Sequence, residues 1–196
     1  NGTFSPTTAG VGTHEVVYST SGLCPDSDTI NIVVNPQSDA TIIAAGPFCD
    51  NAAAVTMFAA HTGGVWNGTG FTNTTTGAWD PAVAGAGSHN ITYGISGACG
   101  DTATAIIVVN ETPDINVSCI AESCYGANDG LAFVEISGGT APYDIDWDNS
   151  ETTDTIFLLA PGSYNVSVSD ANGCLRTASG TVDVATDSCY TPHVFI

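Results

Sequence analysis

Apolar and polar residues alternate in short runs along this chain. His89, Ile91, Tyr93 and Ile95 fall on one face of a period-2 segment, the signature of a half-buried strand. The same pattern predicts strands at 40–44, 53–57, 89–95 and 104–109. Farther along it predicts others at 115–119, 131–136, 143–147, 155–159, 163–169 and 176–184. Loops rich in Gly, Thr and Asn separate these runs, and Asp170-Ala-Asn-Gly173 supplies turn residues between the last two. With 22 Gly and 9 Pro in 196 residues, long helices are excluded. Strands spaced in this way suit small two-sheet sandwiches, so the expected class is all-β.

The pattern repeats. Residues 1–35 align without a gap onto 76–110, a shift of 75 positions. Phe4 falls on Trp79, Pro6 on Pro81, Ala9-Gly10 on Ala84-Gly85, His14 on His89, Tyr18 on Tyr93, Cys24 on Cys99 and Val33-Val34-Asn35 on Val108-Val109-Asn110. Residues 1–37 thus read as the back half of one module and 38–112 as a complete copy, with Asn110-Glu-Thr-Pro113 as an extended linker. A second kind of sandwich is expected at 113–186, and 187–196 would begin a further connection. The opening Asn-Gly-Thr has neither a basic segment nor an apolar stretch behind it, so an internal portion of a longer polypeptide is expected.

Charge narrows the function. Twenty acidic residues stand against one cation, Arg176, for a net charge of −19. Phosphate binding needs Lys and Arg, so nucleic acid is excluded as a partner, and an anionic membrane surface is disfavoured. No apolar run approaches the 18 residues of a membrane span. Without Lys there is no Schiff-base chemistry, no P-loop and no Lys–Asn isopeptide staple. No nucleophile elbow, zinc-protease helix or dinucleotide fingerprint occurs, so no enzyme and no cofactor is expected.

Seven cysteines in such a chain imply disulfides and an oxidising, extracellular setting. Cys49 to Cys99 and Cys124 to Cys174 each span 50 positions and are the expected pairs, with Cys119 to Cys189 bracketing the last module as a further clasp. Cys24 is then left alone, its partner expected before residue 1. The cysteines are too dispersed for a zinc site.

Long stretches resemble a known family. Cys124-Tyr-Gly-Ala-Asn-Asp-Gly130, Gly138-Gly-Thr-Ala-Pro-Tyr-Asp-Ile-Asp-Trp147 and Leu159-Ala-Pro-Gly-Ser-Tyr-Asn-Val-Ser-Val-Ser-Asp-Ala-Asn-Gly-Cys174 are similar to the SprB-type repeat of Bacteroidetes surface adhesins. Gly63-Gly-Val-Trp-Asn-Gly-Thr-Gly70, Trp79-Asp-Pro81, Ala84-Gly-Ala-Gly87 and Ile91-Thr-Tyr93 resemble the Ig-like or PKD-like repeats of the same proteins. The resemblance implies tandem Ig-like/PKD-like β-sandwich modules arranged as a stalk, in a large cell-surface protein exported by the type IX system and acting in gliding, attachment or a filament. Its partners would be neighbouring modules of the same chain, surface glycans or other copies. Asp144, Asp146 and Asp148 depart from the family, which tends to aromatic or hydroxyl residues there, and Ser150 stands where Gly is usual.

Three features carry candidate chemistry. Period 2 places Asp144, Asp146 and Asp148 on one strand face, where crowded carboxylates suit Ca²⁺, with Glu151 and Asp154 in support; the same residues also read as a solvated acidic edge that resists strand pairing. Trp66, Phe71 and Trp79 beside Thr-rich loops offer groups to a glycan, the basis of an alternative reading as a carbohydrate-binding array of a secreted enzyme. Exposure of a coplanar pair among them would favour that array, and burial would favour the stalk. Finally, Asp28-Thr-Ile30, Asp101-Thr-Ala103 and Asp154-Thr-Ile156 resemble the O-glycosylation signal of exported Bacteroidetes proteins, placing glycans at Thr29, Thr102 and Thr155. His14 and His89, recurring at one module position, are expected to serve the framework, whereas His61 and His193 show no partner in the sequence.

Overall fold

The computed structural model describes residues 2–188. The chain is all-β, with two small two-sheet sandwiches preceded by a hairpin. That hairpin comprises a one-turn helix α1 (Pro6–Ala9) and strands β1 (Gly12–Thr20) and β2 (Asp26–Val34), paired from Gly12↔Val34 to Thr20↔Asp26. The first sandwich contains β3 (Phe48–Cys49), β4 (Val55–Thr56), β5 (Val65–Asn67), β6 (Phe71–Asn73), β7 (Ala78–Trp79), helix α2 (Pro81–Ala84), β8 (Gly87–Ile95) and β9 (Asp101–Asn110). Its sheets run β3-β9-β8-β5 and β4-β7-β6. The second sandwich has β10 (Asp114–Ile120), β11 (Gly130–Ser137), β12 (Asp144–Trp147), β13 (Thr155–Leu159), β14 (Gly162–Ser169) and β15 (Leu175–Val182), in sheets β10-β11-β13 and β12-β14-β15.

The sequence repeat is a structural repeat. α2, β8 and β9 lie 75 positions after α1, β1 and β2, and their hairpin pairs from Gly87↔Val109 to Ile95↔Asp101, the same register. Each small helix starts on a capping side chain followed by Pro: Ser5 Oγ accepts from Thr8 N at 3.3 Å and Asp80 Oδ1 from Ala82 N at 2.9 Å. Each ends at a glycine of positive φ, Gly10 (+82°) and Gly85 (+77°). The carbonyl of that glycine then accepts a hydrogen bond from the histidine on the following strand, His14 Nε2 and His89 Nε2, at 2.8 Å in both copies. The bond sets the tautomer with the proton on Nε2 and ties helix to strand. Both histidines therefore serve the framework.

In the first sandwich Trp66, Trp79, Ile91, Tyr93, Ile107, Val109, Met57 and Ala40 form the core. Trp79 donates its indole N–H to the Thr69 carbonyl at 2.9 Å. Gly70 packs so closely on that indole that a Cβ would collide with it, which fixes glycine there. Tyr93 packs against Trp66 with the rings tilted and their centroids 4.5 Å apart, and its hydroxyl accepts from Gly64 N and donates to the His61 carbonyl. The second core is Ala132, Val134, Trp147, Ile156, Leu159, Val166, Val168 and Val182.

All six strands expected in the second sandwich are present, with ends shifted by at most a few residues. The first departs more from expectation. Residues 40–44 form only the isolated bridge Ile42↔Ala59, and β3, β5, β6 and β7 are strands of two or three residues, too short to show a period. The expected extended linker at 110–113 is a packed joint: β9 ends at Asn110, β10 begins at Asp114, and Thr112 and Pro113 between them are buried.

Candidate functional site

The joint carries the chain's most consequential chemistry. Cys49 is bonded to Cys174, across the boundary between the sandwiches and 125 positions along the sequence. This overturns the expected pairs Cys49–Cys99 and Cys124–Cys174. Cys49 lies opposite Asn110 in the parallel β3–β9 pair, at the joint. Cys99 precedes β9 at its other end, about 30 Å away at the rise of a strand. Cys174 precedes β15 at the joint, whereas Cys124 is beside Tyr125, whose N–H donates to the Asp187 carbonyl past the far end of β15. The equal spacing of 50 reflects equal module lengths rather than proximity. Closing so long a loop stabilises the native state by about 5 kcal/mol in chain-entropy terms.

Further bonds converge there. Asn51 Nδ2 donates to the Leu175 carbonyl at 2.9 Å, Thr112 N to Asp50 Oδ1 at 3.0 Å, Asp50 N to the Asn110 carbonyl at 2.9 Å and Arg176 Nε to the Pro113 carbonyl at 3.2 Å. The chain's one cation is thus part of the joint.

Cys119, expected to pair with Cys189, has a free thiol on the inner face of β10, beside Gly180 and Val117. Burial pushes this thiol up, and Asp183 adds to the effect. Cys189 and His193 lie outside the described residues. Cys24 is free and exposed, and its repeat counterpart Cys99 is free as well.

Asp144 and Asp146 face solvent on β12 as the alternation requires, with Ile145 and Trp147 turned inward. Asp148 lies beyond the strand, and its Oδ2 accepts from Asn165 N at 3.0 Å and Asn165 Nδ2 at 2.8 Å. The three carboxylates expected to hold Ca²⁺ are therefore not brought together, and among the described residues no three His, Cys, Asp or Glu side chains converge as a metal shell. What remains is an acidic edge, since β12 closes its sheet on one side. An open groove beside it is lined by Asp146, Asn165, Ser167, Thr177 and Ser179. Ser150, where the resemblance expects Gly, takes φ +71°, the backbone conformation that favours glycine.

The opposite outer face of this sandwich is apolar. Ala132 and Val134 of β11 point into the core, which leaves Leu131 and Phe133 half-buried on the outside, with Ile120 directly across from Leu131. Opposite Leu131 the edge strand β13 bulges, and Leu158, at φ +57°, is 80% exposed beside exposed Phe157.

No aromatic platform exists at the expected glycan site. Trp66 and Trp79 are buried, and Phe71 is half-buried with its ring stacked at 5.4 Å on Trp66. Thr29 is exposed on β2 and Thr102 on β9, though the repeat places Ser27 rather than Thr29 at the position of Thr102, and Thr155 is half-buried on β13.

Buried polar groups hold loops in place. Asp170 accepts backbone N–H bonds from Cys174 (2.8 Å), Asn172 and Thr140 (both 2.9 Å). Burial raises its pKa, and those donors outweigh burial to hold the carboxyl below the usual range. Asp129 accepts from Ser123 N and Oγ, which lower it likewise. Sequence reasoning missed Glu122, whose buried carboxylate accepts from Gly126, Asn128 and Ala185, because nothing marks a lone glutamate as an acceptor until the fold closes around it. It also missed the bond from Asp39 N to His61 Nδ1, which bridges 22 positions.

Residues 122–152 match the SprB repeat family. No curated protein matches the chain. Among solved structures, an amphioxus IgVJ-C2 molecule shares 15% identity over 50% of this chain and 61% of its own, at a TM-score of 0.30. The human desmocollin-1 ectodomain shares 14% over 88% and 41% at 0.27, and a Bacteroides ovatus SGBP-B, in complex with a mixed-linkage heptasaccharide, 10% over 85% and 47% at 0.26. The chain thus spans less than two thirds of each, and superpositions this loose carry no functional argument.

Proposed function

Because the chain carries a SprB-type repeat at residues 122–152, we propose that it is a non-catalytic stretch of the stalk of a cell-surface adhesin, outside the cell. Its work is to extend and present an adhesive part of the same protein, in attachment or gliding, after export by the type IX system. The observation that carries the reading is the repeat itself, set in a sandwich joined end to end and covalently to a second one. Burial of Trp66 and Trp79 removes the platform on which the carbohydrate-array alternative depended. A net charge of −19 supports a solvated, mutually repelling surface.

Antibody raised against the chain and applied to intact cells of the native organism tests the proposal. Surface labelling that is lost on brief external proteolysis, with attachment or gliding impaired when the encoding segment is deleted, is the expected result. Labelling only after permeabilisation overturns it.

A further inference from the structure

We propose that the Cys49–Cys174 bond is a force bypass, making residues 50–173, the bulk of both sandwiches, inextensible to a pull applied through the two ends of the chain. Tension entering from the hairpin side travels along the backbone to Cys49. There it meets two routes to Cys174, the intervening backbone and the bond, whose Cα atoms are 5.6 Å apart. The short route takes the load, and the backbone from 50 to 173 hangs slack as a closed covalent loop. That loop contains β4 through β14 and nearly all of both cores, with only Ala40 of the first and Val182 of the second outside it.

Under load, three regions can lengthen among the described residues. The β1–β2 hairpin is the weakest, because no buried residue covers it. Residues 35–48 can peel from the first sandwich, where Ala40 is buried and Ile42 bridges to Ala59. The third is β15, which pairs with β14 over eight residues and anchors Val182 in the core. Beyond them extension stops. Cys174 is wholly buried and Cys49 half-buried, and the bonds from Asn51 to Leu175 and from Arg176 to Pro113 hold the two sides of the joint together. The bypass is a property of the chain alone, whereas its use under tension in life rests on the stalk reading above.

The experiment is single-molecule stretching of the full chain, held by handles at its two ends, before and after reductant. The oxidised chain should reach a contour set by the residues outside the loop. Reduction should then add the hidden backbone, 125 positions at roughly 3.4 Å each, or about 430 Å. Cys49→Ser, which opens this bond alone, should lengthen the unreduced chain. Contour length does not depend on folding, so a poorly folded variant still reports. An unreduced chain that already extends to its full contour, or one that gains nothing on reduction, overturns the bypass. Since the measurement is made on purified protein, its failure leaves surface display untouched, and absence of surface display leaves the bypass untouched.

Discussion

Two hairpins in this protein share one design and meet different fates. β1–β2 and β8–β9 have the same register, the same helix cap and the same 2.8 Å histidine-to-glycine bond. Yet Tyr18 is 71% exposed and its counterpart Tyr93 is 3% exposed. Everything built by residues near in sequence is present in both copies. Among the described residues, none covers the first as residues 40–66 cover the second. Turn chemistry and strand pairing therefore make the hairpin, and burial against a non-local layer makes the core.

The strongest way to break the parallel is at the Phe4/Trp79 position. Trp79→Ala empties a site with 0% exposure and should cost about 3–5 kcal/mol, a large part of a small domain's stability. Phe4→Ala, in the uncovered copy, should leave the melting curve where it was. Differential scanning calorimetry on both variants checks this; equal effects would mean that the first hairpin is covered in solution.

Acid sharpens the contrast from the other end of the chain. The buried carboxylates, Glu122 and Asp170, both lie in the second sandwich, and the hairpin has none. The pKa of Asp170 is lowered in the fold, so its contribution is fully present above the unfolded value near 4 and disappears as pH falls through the folded one. The second sandwich should lose stability below about pH 4 while hairpin signals stay unchanged. Asp170→Ala, which strands three backbone donors, should cost about 3 kcal/mol at neutral pH and flatten the acid limb. Melting across pH 2–7 gives both numbers.

The finest test removes one oxygen. Tyr93→Phe leaves the buried Gly64 N–H without its acceptor and should cost about 1–2 kcal/mol. Tyr18→Phe should cost nothing measurable, and amide exchange at Gly64 distinguishes a lost bond from a general loosening.

Much of this was legible in the sequence, and the exceptions share a cause. The repeat, the hairpins, the long strands of the second sandwich and the loop-capping role of Asp170 follow from period, turn residues and spacing, all local signals. Strands such as Val55–Thr56 and Ala78–Trp79 are too short to carry a period and exist because partners arrive from elsewhere. The cysteine pairing failed for the same reason. Intervals of 50 positions looked like intramodular clasps, while the bond that forms depends on how one module abuts the next. Asp148 left the expected carboxylate row because Asn165, on the neighbouring strand, offers it two donors.

The joint also bears on how such a chain changes its length over generations. A repeat of 75 positions invites unequal crossover, in which whole modules are gained or lost. Here the bond joins one module to its neighbour, so a copy of the first module inserted between them would bring its own cysteine to Cys174 and leave Cys49 unpaired, while loss of either module would orphan one thiol. The heritable unit is thus the stapled pair, and copy number can drift freely only on either side of it.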